Sequence, residues 1–243
     1  MRSPVMKQPD GDNGKQPALA AVGISAGYGE VSILRELDLH VAPGEIVALL
    51  GANGAGKTTT MLALAGHLPT RKGVVHINGA AAPTSAHARA RLGLAFLTEE
   101  SAVFRTLSVE ENLRVGRGHL EKALQLVPEL RPLLKRRVGL LSGGEQQLCA
   151  LARALSGEPK VLMIDELSMG LAPKVVDRLL DAVSAAAENG VGVLVVEQFA
   201  ERILAVAHRA YVMRSGQIEM AGTSAMIREN LKAVRDIYLS SRD

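Results

Sequence analysis

The 243 residues predict an α/β protein: a parallel-sheet core, an antiparallel β lobe ahead of it, and a helical lobe inserted into it. Three observations carry this. An apolar run at 46–50 leads directly into the glycine-rich stretch Gly51-Ala-Asn-Gly-Ala-Gly-Lys57-Thr58. A second apolar run, at 161–164, closes on two acids, Asp165-Glu166. Between them, from about residue 83 to 158, acids and arginines recur at helical spacing, so this block reads as an insertion into the core.

Each element has its own local signal. Residues 18–40 alternate polar and apolar around Gly27-Tyr28-Gly29, which reads as two strands joined by a turn. Pro43-Gly44-Glu45 is a turn, and 46–50 is a buried strand. The glycine-rich loop opens a helix from 57 to about 66, ended by His67-Leu68-Pro69. Residues 74–77 with Asn78-Gly79 give a strand and a tight turn. The continuous aliphatic runs at 161–164 and 191–196 are expected as neighbouring parallel strands, covered on both faces. The amphipathic stretch 174–187 is their crossover helix. Residues 210–213 and 217–220 form a closing hairpin across Ser215-Gly216. Residues 1–17 mix Lys, Asp, Asn, Gly and Pro without an apolar core, as a disordered tail does and a signal peptide does not. One domain is expected over 18–243, with its helical lobe at about 83–158.

Composition excludes several classes. A net charge of +3, with aromatics at 2% and no tryptophan, argues against a nucleic-acid stacking surface, so no nucleic-acid partner is expected. The densest basic cluster, Arg131, Lys135, Arg136 and Arg137, reads as a solvated helix end and loop. The single cysteine, Cys149, cannot form an internal disulfide; it reads as a small packing residue in a reducing compartment. No apolar run approaches the roughly 20 residues that span a bilayer, so service to a membrane would run through a partner.

The chemistry lies in three segments. In the first, Gly51, Gly54 and Gly56 let backbone N–H groups converge on phosphate oxygens, and the helix beyond them adds its positive end. Lys57 supplies a point charge to the terminal phosphates and Thr58 a hydroxyl to Mg²⁺; Asn53, Ala55 and Thr59 complete the loop. In the second, Asp165 suits indirect coordination of Mg²⁺, and Glu166 suits a general base that orients an attacking water. An acid pair at a strand end would by itself more often cap a helix; the phosphate loop upstream favours the catalytic reading. In the third, Leu141-Ser142-Gly143-Gly144-Glu145-Gln146-Gln147, Ser142 can cap a helix while Gly143 and Gly144 expose its amides, making an anion site without a lysine.

From about residue 18 to the C-terminus, these segments in this order resemble an ATP-binding cassette subunit of a transporter. The resemblance implies a P-loop NTPase core of the cassette type, with ATP and Mg²⁺ as cofactors and two cassettes meeting face to face. It implies that Ser142, Gly143 and Gly144 grip the γ-phosphate of ATP held by the facing cassette, and that Tyr28 stacks on adenine. It places Glu99, in Phe96-Leu97-Thr98-Glu99, where cassettes usually carry a glutamine that senses Mg²⁺ and the membrane partner. It places Gln198 where they usually carry a histidine bridging the γ-phosphate and the attacking water. A glutamine donates and accepts hydrogen bonds there but carries no positive charge. His208 reads as a solvated helix residue rather than a replacement.

Further departures narrow the resemblance. Leu167 stands where proline is usual, and Ala172 where a loop aspartate is usual. The segment Ser168-Met-Gly-Leu-Ala-Pro173, the ending Val196-Glu197-Gln198, Glu99 and the stretch Thr106-Leu-Ser-Val-Glu-Glu-Asn-Leu113 are similar to one subfamily. It is the second ATPase of bacterial uptake systems for branched-chain amino acids, with relatives for amides or urea. Leu167 and Glu100-Ser101 depart even from that pattern. The resemblance implies an ATP-hydrolysing motor on the cytoplasmic face of the inner membrane. Its implied partners are a related cassette, as heterodimer ahead of homodimer, and integral membrane permeases. The alternatives are a cassette ATPase outside import and a nucleotide-gated dimerisation module with little hydrolysis. No residue reads the cargo.

Overall fold

A computed structural model describes residues 16–98, 103–115, 118–166, 170–197 and 200–239. In chain order the elements are β1 (Leu19–Tyr28), β2 (Val31–Val41), β3 (Ile46–Gly51), α1 (Lys57–Ala65), β4 (Thr70–Ile77), β5 (Ala80–Ala81), α2 (Ala86–Arg91) and β6 (Leu94–Leu97). The helical lobe adds α3 (Val109–Arg114), α4 (Leu120–Leu126), 3₁₀ turns at Pro128–Leu133 and Val138–Leu140, and α5 (Gly143–Ser156). The chain returns to the core through β7 (Val161–Asp165), α6 (Pro173–Glu188), β8 (Gly192–Glu197), α7 (Ala200–Val206), β9 (Arg209–Arg214) and β10 (Gln217–Thr223). It ends with α8 (Ser224–Glu229) and α9 (Leu231–Leu239).

Two sheets form. The antiparallel lobe has strand order β2-β1-β4-β5, and the core sheet has order β10-β9-β3-β8-β7-β6. In the core, β9, β3, β8, β7 and β6 run parallel, and β10 pairs antiparallel at the edge. Alternation along β3 explains the layering. Ile46, Ala48 and Leu50 join one hydrophobic cluster with the helices α3 to α7. Val47 and Leu49 join a second with α1 and the antiparallel lobe. A strand covered on both faces is apolar at every position, which is why 46–50, 161–164 and 191–196 read as unbroken aliphatic runs.

The anticipated strands, the 57–66 helix, the crossover and the closing hairpin all form, with small shifts at their ends. One expectation is corrected. The block read as helical from about 83 contains β6, which pairs in parallel with β7 (Leu94↔Val161 to Leu97↔Ile164) and belongs to the core sheet. Four apolar residues are too few to separate strand from helix by periodicity, and only pairing decides them. Residues 1–15 of the expected tail lie outside the described residues.

The parallel strands end level with one another. Leu50 pairs with Glu197 and Asp165 with Val196, so the ends of β3, β7 and β8 form one rim. Ligands of open α/β sheets bind along such a carboxyl-end rim.

Candidate functional site

The phosphate loop begins at the end of β3. Gly54 and Gly56 take φ of 81° and 104°, the left-handed region, and Gly56 directly precedes α1. Asn53, Gly54 and Thr58 are exposed; Gly51, Ala55, Gly56 and Thr59 are buried. Lys57 lies across the loop, its Nζ donating to the carbonyls of Gly51 at 2.8 Å and Ala52 at 3.1 Å. Thr60 Oγ1 donates to the Gly56 carbonyl at 2.9 Å, fastening the first turn of α1. The loop's outer support comes from the β9–β10 turn. Gly216 donates its N–H to the Ala55 carbonyl at 2.9 Å and accepts the Arg35 N–H at 3.1 Å. A Cβ on Gly216 would lie 1.7 Å from the Ile33 carbonyl oxygen, so only glycine fits between the loop and β2. In the sequence, Gly216 reads only as a hairpin glycine.

Three carboxylates close the rim. Asp165 ends β7 and is 4% exposed; Glu197 ends β8 and is 5% exposed. Glu166 is half-buried and sits at φ 53°, a strained conformation for a residue with a Cβ. Its N–H donates to the Val196 carbonyl at 3.1 Å. Burial pushes the Lys57 ammonium below the ordinary lysine value, and the charges of Glu166, Asp165 and Glu197 oppose that push. Glu197 is the site residue that sequence reasoning passed over. Its signal was present, an acid closing an aliphatic strand, as with Asp165.

The helix α5 begins at Ser142 with a reciprocal cap. Ser142 Oγ accepts the Glu145 N–H at 3.3 Å, while Glu145 Oε2 accepts from the Ser142 N–H at 2.7 Å and from Ser142 Oγ at 2.8 Å. These bonds hold the Glu145 carboxyl below the usual carboxylate range. Gly143 is exposed. Gly144 is buried for a different reason: a Cβ there would meet Val175 Cγ1 at 2.6 Å, so the glycine lets α5 pack tightly on α6.

Tyr28 ends β1 with 51% of its surface exposed. Ala172, which replaces the usual loop aspartate, is the N-cap of α6 and makes no side-chain cap bond; Pro173 starts that helix. Glu99 and Gln198, and with them Leu167 and Ser168, lie outside the described residues. His208 is corrected from a helix residue. It lies between α7 and β9, where its Nδ1 accepts the Ile46 N–H at 3.0 Å at the start of β3, the far end of that strand from the phosphate loop. Cys149 is buried as expected, and burial pushes its thiol up to about 11.

A parallel core sheet whose first strand runs into a phosphate loop, with acids on the neighbouring strand ends, defines a phosphate-loop nucleotide triphosphatase. Within that class the family described as "ABC transporter" matches residues 34–168, more than half of the chain. The chain belongs to that family and is an ATP-hydrolysing, nucleotide-binding cassette. It is 39% identical over 228 residues to the high-affinity branched-chain amino acid transport ATP-binding protein BraG of Pseudomonas aeruginosa, covering 89% of this chain and 97% of that one. It is 33% identical over 233 residues to the lipopolysaccharide export system ATP-binding protein LptB of Escherichia coli K12, covering 91% and 96%. A crystal structure of the ADP conformation of an ATP-binding cassette of an ABC transporter matches with a TM-score of 0.83 at 25% identity, covering 92% of this chain and 99% of that one. Among the described residues, no helix is long and apolar enough to cross a membrane.

Proposed function

We propose that this chain is the ATP-hydrolysing motor of a bacterial importer for branched-chain amino acids or related small polar solutes, docked on permeases at the cytoplasmic face of the inner membrane. The observation that supports this reading is the 39% identity, over nearly its whole length, to BraG, a branched-chain amino acid transport ATP-binding protein. The 33% identity to LptB favours an export motor as the second reading.

In this reading the glycine-rich loop from Gly51 to Gly56 wraps the phosphates with backbone N–H groups, with Asn53 at its exposed tip and Thr59 on the first turn of the helix. Lys57 leaves the carbonyls of Gly51 and Ala52 for the terminal phosphates, an exchange its cramped, partly desolvated position favours. Thr58 and Asp165 are hard oxygen donors, suited to Mg²⁺ shared with phosphate oxygens. When bound, Mg²⁺ would neutralise charge on the β- and γ-phosphates. Glu166 takes a proton from, or orients, the attacking water. Its left-handed backbone, tied to Val196, supports that role by fixing the carboxylate's origin on the rim. Tyr28 carries the adenine. The Ser142, Gly143 and Gly144 turn serves the nucleotide of a facing cassette, either a related subunit or a second copy, with Ser142 exchanging Glu145 for phosphate. The family resemblance assigns Glu99 to sensing the permease and Mg²⁺, and Gln198 to the role that histidine usually has, as a neutral hydrogen-bonding group.

The test is reconstitution. The chain is co-purified with its membrane subunits, inserted into proteoliposomes, and assayed for ATP-dependent movement of labelled leucine. Accumulation on the side opposite the cassettes would reject import. Amphiphile extraction without amino-acid movement would establish the export reading instead.

A further inference from the structure

At one step of the β1–β4 pairing, between Ser25 and Ala26, β4 carries one residue more than β1. Ser25 pairs with Lys72 and Ala26 with Thr70, so Arg71 stands opposite no residue. Such a bulge bends the strand and re-aims the extra side chain, and bulges cluster beside functional sites. Here the re-aimed guanidinium crosses to the β1–β2 turn. Arg71 Nη2 donates to the carbonyls of Gly29 at 2.5 Å and Val31 at 3.2 Å. Among the described residues no carboxylate pairs with it, so these two carbonyls are what the bulge places it against.

That turn holds Tyr28 between two glycines. Gly27 lies so close to the opposite strand that a Cβ would come 2.0 Å from the Val31 carbonyl oxygen, and Gly29 takes φ 50°. Tyr28 keeps its ladder place opposite Val31, but Gly29 at left-handed φ gives the turn beyond it backbone freedom, and the tyrosine is half exposed. Arg71 bonds the carbonyls of Gly29 and Val31 and so adds a side-chain restraint across that turn. We propose that Arg71 is a positioning residue: it holds the β1–β2 turn so that the Tyr28 ring is presented at a fixed angle to the nucleotide base. This rests on the reading of Tyr28 as the adenine platform. Arg71 acts through that platform and leaves the phosphate loop to its own contacts.

The chain has no tryptophan, so Tyr28→Trp introduces a unique fluorophore at the platform. Without nucleotide, adding Arg71→Ala should lower the steady-state anisotropy of that indole; unchanged anisotropy overturns the positioning role whatever Tyr28 binds. Nucleotide affinity is then measured for the parent, Tyr28→Ala, Arg71→Ala and the double variant. Arg71→Ala should weaken MgATP binding about fivefold, the loss expected for a hydrogen bond worth about 1 kcal/mol. It should leave affinity for inorganic tripolyphosphate unchanged and add nothing further in the Tyr28→Ala background. Additive losses would mean that Arg71 touches the nucleotide itself and would overturn the proposal, as would equal weakening for tripolyphosphate. A Tyr28→Ala variant that binds MgATP as the parent does would reject the adenine reading, while the anisotropy still decides whether Arg71 holds the turn.

Discussion

The backbone N–H of Glu166 donates to the carbonyl of Val196 at 3.1 Å, joining the end of β7 to the strand that carries Glu197. This bond extends the pairing of Asp165 with Val196 by one residue, and it holds Glu166 at φ 53°. An acid in a rarely populated backbone conformation thus stands beside a buried lysine and two further carboxylates, and strained residues tend to cluster in active sites.

The first prediction concerns that acid. Glu166→Gln keeps the shape and the backbone bond and removes only the charge and the basic oxygen. MgATP affinity should stay within about twofold, while steady-state phosphate release, measured with the partner cassette present, falls by about 10²–10⁴. Turnover at the parent's rate would move the base to another residue.

The second concerns Asn112, which is fully buried and sits under the loop leading into the helical lobe. Its Oδ1 accepts the Phe104 N–H at 2.8 Å, and its Nδ2 donates to the carbonyls of Phe104 at 2.9 Å, Leu107 at 3.4 Å and Ser108 at 3.0 Å. Asn112→Ala leaves the Phe104 N–H without its acceptor, while the carbonyls of Phe104, Leu107 and Ser108 keep the N–H groups of Leu107, Val138 and Asn112. Urea unfolding should show a loss of about 1–3 kcal/mol. Asn112→Asp should cost more, because a carboxylate would face three carbonyl oxygens. A loss below about 0.5 kcal/mol for both would show that the loop finds other partners.

The third concerns Cys149. With its thiol pushed up to about 11, the thiolate fraction at pH 8 is about 10⁻³, and the group is buried as well. Iodoacetamide at pH 8 should leave the folded protein unmodified by mass spectrometry and label it fully in denaturant. Raising the pH of the folded protein from 7 to 9 should not bring its rate near that of the unfolded chain. Equal rates for the two states would mean that α5 opens on the timescale of the labelling.

The sequence by itself determined whatever is written in consecutive residues. The phosphate loop, the acids closing an aliphatic strand and the Ser142 cap are local patterns. Their physics acts over one strand or one helical turn: backbone freedom at glycine, a hydroxyl three residues from an N–H, apolar side chains covered on both faces. Tertiary structure alone decided what depends on register between distant segments. Leu94–Leu97 became a core strand because β7 offered it an edge. Glu197 joined Lys57 because β8 lies between β3 and β7. Gly216 and Ile33 approach too closely for any side chain, and Arg71 was turned toward Tyr28's loop by one unpaired residue in β4. Asn112 shows the division within one residue. Its place in a recognisable stretch was legible, but the four bonds that bury it exist only once residues 104–108 have folded back over it.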